Sequence, residues 1–166
     1  MSTTSSLAIT NRDSLIRPIA LGGVIIGTIQ LIVQEWFVLS FLEQNPFISV
    51  LQYIASAVMG NAAFEGGIAT ALLGVLLHFL VSFVIAGVFI LSADRIPFLR
   101  RYAIAGALLY GLGVFIVMSL IVLPLSAAPP IPAPTIPQLI ERIIDHVLVI
   151  GLPLGIVVRG SAHADA

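Results

Sequence analysis

The sequence predicts an all-α membrane protein with four transmembrane helices in an up-and-down bundle and one short interfacial amphipathic helix. Of its 166 residues, 59% are hydrophobic and only 9% are charged, whereas soluble domains carry roughly 25% charged residues. Four apolar stretches also reach the length of about 20 residues that a helix needs to cross a bilayer. We therefore expect one transmembrane domain over 18–159, between polar cytoplasmic tails at 1–17 and 160–166.

The four predicted spans follow one another through short connections. The apolar run after the polar leader exceeds the roughly 7–15 residues of a signal peptide, and no small-residue cleavage site follows it, so the first helix is expected to remain in the protein. The predicted spans are 18–42, 66–93, 102–125 and 136–158.

The connection between the first two spans has a pattern of its own. Segment 47–60 is too short to cross a bilayer. Within it, Ser49, Gln52 and Ser56 form a polar stripe at helical spacing on an otherwise apolar surface. This pattern predicts an interfacial or half-inserted helix on the outer face of the membrane.

Proline shapes the last connection and the last span. Segment 129–137 cannot continue a helix, because proline lacks an N–H donor and restrains the residue before it, so we expect a stiff extended strap. Thr135 and Gln138 have the spacing of a capping box at the start of the fourth span. Pro153 lies inside that span and predicts a kink.

The arginines predict the orientation. Short cytoplasmic loops retain positive charge, and six arginines fall on one side if both termini are cytoplasmic, leaving Arg142 near the opposite face. We therefore expect a multi-pass protein of a bacterial cytoplasmic (inner) membrane, with both termini inside the cell. The six arginines are Arg12, Arg17, Arg95, Arg100, Arg101 and Arg159.

Small residues predict the contact faces between helices, because membrane helices pack most closely where side chains are small. The candidate packing residues are Gly23, Gly27, Gly74, Gly106, Gly111, Gly151 and Gly155. At a rise of 1.5 Å per residue, the polar side chains of the spans fall into one layer in the outer half of the bundle. The candidate site residues of this layer are Gln30, Gln34, Glu35, His78, Asp145 and His146.

Composition excludes several functions. The net charge is −1 and the chain has no cysteine, so nucleic acid is not an expected partner and disulfides, thiolate nucleophiles and iron–sulfur clusters are excluded. It also has no lysine, which excludes Schiff-base catalysis. No Gly-x-Ser-x-Gly, His-Glu-x-x-His or phosphate-binding glycine loop is present, so we expect no enzyme.

The favoured function is a non-catalytic accessory or structural bundle in the lipid bilayer, with a second copy or a partner subunit on its small-residue faces and no cofactor. Two alternatives stay open. His78 and His146 are expected to face each other and are residue types that ligate haem b or, with Glu35 and Asp145, a metal ion. The same layer also resembles half of a proton or small-solute pathway.

Short motifs in the last three spans carry a family resemblance. They are Gly74-Val75-Leu76-Leu77-His78-Phe79, Leu109-Tyr110-Gly111, Val122-Leu123-Pro124-Leu125-Ser126-Ala127, and His146 followed by Ile150-Gly151-Leu152-Pro153. The chain thereby resembles a group of uncharacterised bacterial four-span integral membrane proteins. The resemblance implies a bacterial cytoplasmic membrane and four spans, and it implies no activity or residue role.

Overall fold

The computed structural model describes the backbone of residues 4–41 and 46–164 and the side chains of 15–33 and 47–161. Throughout this part of the chain the secondary structure is helical, with no strand. The elements are α1 (Thr4–Phe41), α2 (Pro46–Met59), a 3₁₀ turn (Gly60–Phe64), α3 (Gly67–Arg95), α4 (Pro97–Arg101), α5 (Ala103–Val117), π1 (Met118–Val122), α6 (Leu123–Leu125), α7 (Ile136–Asp145), π2 (His146–Gly151) and α8 (Leu152–Ala164).

Two wide turns interrupt the last two long helical segments. The π-helical stretches π1 and π2 each end two residues before a proline, Pro124 or Pro153. Proline leaves the carbonyl one turn earlier without its usual donor, and a π turn supplies a donor from one residue further along. In π1, for example, the N–H of Leu123 donates to the carbonyl of Met118. A π-helical turn thus precedes Pro153, where the sequence predicts a kink.

Four helical segments share one apolar core. It is formed by α1, α3, α5 and the segment that joins π2 to α8, and its largest fully buried side chain is Phe89. Small residues fill much of the remaining interior, which lets the helices approach closely. The buried members are Ile26, Ala86, Phe89, Ile90, Ala93, Ala103, Ala107, Val114, Ile150, Leu154 and Val158.

Helix α2 forms a hairpin with α3, outside the shared core. Gly60 and Gly67 have φ values of 60° and 56°, a left-handed conformation that glycine adopts without the penalty of a Cβ atom, and they bracket the turn between the two helices. Gly74 then contacts the backbone of Leu51 so closely that a Cβ atom would collide with the Leu51 carbonyl. The hairpin therefore depends on glycine both at its turn and along its seam.

Two of the three residues of the polar stripe of α2 face the protein, whereas Ser49 is exposed; whether α2 is interfacial or half-inserted stays a prediction. Gln52 and Ser56 are buried, and Nε2 of Gln52 donates to the Gly67 carbonyl at 3.2 Å. The side chains turned away from α3 are apolar instead, with Val58 61% exposed. Turning polar groups toward backbone carbonyls and apolar groups outward is the arrangement that a lipid surrounding favours.

The proline-rich strap is non-helical, as predicted, and is anchored to α2. The N–H of Ala127 donates to the carbonyl of Ala57 at 3.0 Å, which satisfies one of the carbonyls left without a partner at the end of α2. The predicted capping box is also confirmed: both of its hydrogen bonds are present, and the N–H of Thr135 donates to Oε1 of Gln138 at 2.9 Å. The strap thus leads directly into α7.

Within the described residues, five helical segments are long and apolar enough to cross a membrane, one more than the four predicted. The additional segment joins α2 to the 3₁₀ turn. Helix α1 also begins at Thr4, so much of the predicted polar tail is helical. The five segments are Leu15–Val33, Phe47–Phe64, Gly67–Arg95, Ala103–Leu125 and Ile136–Ser161.

Candidate functional site

The interior polar side chains form a chain of contacts that runs through α1. His78 on α3 directs Nε2 to the carbonyl of Gly27 on α1, at 2.9 Å. Gln30, one turn further along α1, is buried, and its side chain interacts with the carboxyl group of Asp145 on α7. One face of α1 therefore links α3 to the end of α7.

Asp145 and His146 lie at the junction of α7 and π2. Asp145 is only 7% exposed, and its Oδ2 is 3.6 Å from Nδ1 of His146. No described side chain or backbone group donates a hydrogen bond to its Oδ1. A buried carboxyl oxygen without a donor is costly in an apolar surrounding. Among the described residues, Oδ1 of Asp145 is such an unsatisfied oxygen.

The two histidines have different neighbours. His146 directs Nδ1 to the carbonyl of Arg142 at 2.9 Å and packs edge-on against the ring of Phe115, whereas His78 lies against Phe79. Among the described ring contacts the two imidazoles are not paired with each other, and the expectation that they face each other stays a prediction. Their described connection runs through α1.

The hydrogen bonds also set the tautomers. Because a carbonyl oxygen only accepts, Nε2 of His78 and Nδ1 of His146 must carry the proton in these two bonds. Each ring then keeps its other nitrogen as a lone-pair donor. This is the arrangement in which histidines usually bind metals, with one N–H held by a carbonyl and the second nitrogen directed at the metal.

No metal centre is assembled by the described side chains, which bring no three His, Cys, Asp or Glu residues together. Of the six candidate site residues, Gln30, His78, Asp145 and His146 are placed in the contact chain above. Gln34 and Glu35 belong to α1, but their side chains lie outside the described residues. The four-residue metal site considered from the sequence therefore has three described members.

The candidate packing glycines lie at contacts between helices or between a helix and its connection. Cβ atoms at Gly111 and Gly151 would collide with the backbone of the helix opposite, and a Cβ at Gly155 would lie 2.8 Å from Cα of Ile104. On α1, Gly23 and Gly27 receive the rings of Phe83 and Phe79, and Gly106 lies against Leu99. Gly74 lies against the backbone of Leu51. Each of the seven candidate packing glycines is therefore in contact with another part of the same chain.

Two features of this region were missed by sequence reasoning. Tyr110, which is not among the candidate site residues, donates from its hydroxyl to the carbonyl of Ile85 at 2.8 Å and so joins α5 to α3. Arg142, which the sequence predicts near the face opposite the other arginines, lines a cavity beneath the strap. Its isolation from the six other arginines was the signal available in the sequence.

Replacing His78 tests whether it holds α3 to α1. We expect His78→Leu to destabilise the bundle by about 0.6–2 kcal/mol, the range for hydrogen bonds between membrane helices, while His78→Gln retains a donor and most of the stability. A loss of 1 kcal/mol lowers the midpoint of thermal unfolding by about 2–4 °C in a chain of this size. Thermal aggregation of the detergent-solubilised protein measures the shift, and equal midpoints for the two variants would contradict the role.

Comparison with known proteins identifies no relative. No protein family, no curated protein and no solved structure matches the chain.

Proposed function

We propose that this chain is an integral protein of the bacterial cytoplasmic membrane that crosses it four times, with both termini in the cytoplasm. The support comes from the placement of charge in the fold. Gly22 on α1 lies against Leu154 on α8, and Gly155 on α8 lies against Ile104 at the start of α5, so the arginines a few residues beyond these contacts lie at one end of the bundle. The positive-inside rule assigns that end to the cytoplasm.

We propose further that α2 enters and leaves the membrane from the outer side, so that the four crossings are α1, α3, the segment Ala103–Leu125 and the segment Ile136–Ser161. A complete crossing by α2 would place Arg17 and Arg95 on opposite sides of the membrane. Segments that dip into a bilayer require protein partners for their polar groups. Gln52 and Ser56 have such partners, because both are buried within the hairpin.

The absence of cysteine from the sequence makes the topology directly testable with single cysteines. We expect Ala133→Cys to react with a membrane-impermeant maleimide in intact cells, and Ser5→Cys and Gly160→Cys to react only after permeabilisation. A five-crossing chain would instead place residues 5 and 160 on opposite sides. Labelling of only one of these two in intact cells would therefore overturn the proposal.

Within this topology we propose a non-catalytic accessory or structural role, in which the polar layer holds the helices together. The observation that carries this proposal is the use of backbone carbonyls as acceptors by His78 and Tyr110, each reaching a neighbouring helix. These bonds join neighbouring helices and so support a role in holding the bundle together.

A partner subunit or a second copy would contact the lipid-facing side chains, because the candidate glycine faces are filled within the chain. Leu109 and Leu120 are both 70% exposed on the segment Ala103–Leu125, and Leu72 is 64% exposed on α3. Photo-crosslinking residues at these three positions test the role in cells. A discrete protein adduct from one face supports it, whereas lipid adducts alone from all three faces would contradict it.

Haem binding is the second candidate, and one observation favours it. Each histidine donates one N–H to a carbonyl, which orients the ring and leaves the other nitrogen for a ligand. An oxidised-minus-reduced absorption spectrum of the purified protein tests it. A Soret band lost in both His78→Ala and His146→Ala would establish haem ligation and displace the non-catalytic proposal; a colourless protein would exclude haem.

A further inference from the structure

A cavity of about 510 Å³ lies beneath the strap, at the end of the bundle opposite the cluster of arginines. The strap and the three residues before it cover the cavity, from Ser126 to Pro134. This segment is held to α2 at two points: the N–H of Ala127 donates to the carbonyl of Ala57, and the hydroxyl of Tyr53 donates to the carbonyl of Pro129 at 3.5 Å. The walls come from three helical segments and include Tyr53, Phe115, Ser119, Leu123, Leu139 and Arg142.

Arg142 is the only charged residue among those that line this cavity. Glu141 and Asp145 are its neighbours on α7, but no described carboxylate lies within 4.0 Å of its guanidinium group. No described carbonyl or side chain accepts a hydrogen bond from it either. Arginine remains charged in proteins, and a charge at membrane depth normally has a partner or faces water. Among the described residues, Arg142 lines the cavity without a hydrogen-bond or ion-pair partner.

Arg142 would pair with an anionic group, and the rest of the cavity wall indicates what kind of ligand would carry that group. The hydroxyls of Tyr53, Ser119 and Ser126 add hydrogen-bonding groups, while Phe115, Leu123 and Leu139 provide apolar surface. A guanidinium fork binds a phosphate through two parallel hydrogen bonds. We propose that the cavity binds the phosphate head of an anionic amphiphile, with Arg142 as its counter-charge and the apolar wall against the start of its hydrocarbon chain.

Two further observations agree with a lipid as the source of that phosphate. Arg142 follows Ile136 by six residues, or about 9 Å along the helix, which is close enough to the outer headgroups for an arginine side chain to reach them. The residues lining the cavity include no Asp or Glu. The ammonium group of a zwitterionic lipid therefore has no counter-charge there, and the site should prefer lipids with net negative charge. This inference goes beyond the accessory role and does not depend on it.

The test is lipid binding to the full chain in detergent, measured by native mass spectrometry with phosphatidylglycerol and phosphatidylcholine as probes. We expect phosphatidylglycerol to bind more tightly, and Arg142→Gln to weaken its binding by about 10- to 100-fold, the equivalent of a hydrogen bond to a charged group. Arg142→Lys keeps the charge without the planar guanidinium group, so its affinity for phosphatidylglycerol should lie between those of the wild type and Arg142→Gln. Arg101→Gln, which removes an exposed arginine at the opposite end of the bundle, is the matched control and should bind like the wild type.

A second variant separates the cavity from the charge. Ser119→Phe places a ring in the cavity and leaves Arg142 intact, so it should also weaken the binding of phosphatidylglycerol. Thermal midpoints near the wild-type value would show that both variants fold. Inorganic phosphate that binds in an Arg142-dependent manner without any lipid preference would support the anion site and place its source in solution. Equal phosphatidylglycerol affinity in the wild type and Arg142→Gln, or no binding of either probe, would overturn the proposal.

Discussion

Gly111→Val is expected to unfold a large fraction of the protein or prevent its accumulation in the membrane. A Cβ atom at this position would collide with the carbonyl of His146 on the opposite segment and would lie 3.1 Å from Cα of Val147. Overpacking costs about 1–3 kcal/mol where side chains can move aside, and a backbone carbonyl has less freedom to do so. We therefore expect a loss near 3 kcal/mol, which lowers the thermal midpoint by roughly 6–12 °C.

The matched control lies two residues away in the same helix. A Cβ atom at Gly113 would have no neighbouring atom within 4 Å, and valine has a better helix propensity than glycine by a few tenths of a kcal/mol. Gly113→Val should therefore match or slightly exceed the wild type in thermal midpoint. Similar losses in both variants would mean that residue 111 is not at a close contact between α5 and π2.

The helices themselves could be predicted because their causes are local. The capping box at Thr135 and the prolines of the strap act within a few residues, and both appear where the sequence places them. Apolar length predicts four of the five segments that are long enough to cross a membrane. The direction of the α2 polar stripe could not be read in the same way. A stripe of Ser and Gln has the same spacing whether it faces water or a neighbouring helix, and only the packing of α2 on α3 decides between them.

In the candidate site, too, some features could be predicted from local sequence and others depend on how the helices pack. Depth along each helix predicts which polar residues share a level, because rise per residue is constant. Rotation about the helix axis is set by packing, so the contact of His78 with Gly27 and that of Gln30 with Asp145 needed the structure. The cavity under the strap was also beyond sequence reasoning, because its walls come from residues as far apart as Tyr53 and Arg142.

Phe89→Ala is the second change expected to have a large effect. Phe89 is 1% exposed, and its ring lies 5.1 Å from that of Tyr110, measured between centroids. Truncating a buried phenylalanine costs about 3–5 kcal/mol in soluble proteins, part of it from transfer to water and part from the cavity left behind. Since separated helices in lipid remain out of water, the transfer part is small here, and we expect about 3 kcal/mol.

Phe98→Ala provides the comparison, because Phe98 is 66% exposed at the start of α4. Its removal should change stability by no more than about 0.5 kcal/mol, and Phe89→Leu, which restores much of the lost volume, should cost less than about 1.5 kcal/mol. Thermal midpoints of the three variants in one detergent measure the series. If Phe89→Ala were as mild as Phe98→Ala, α3 and α5 would not share a packed interior, and the bonds from His78 and Tyr110 would remain as the main contacts that hold α3 in the bundle.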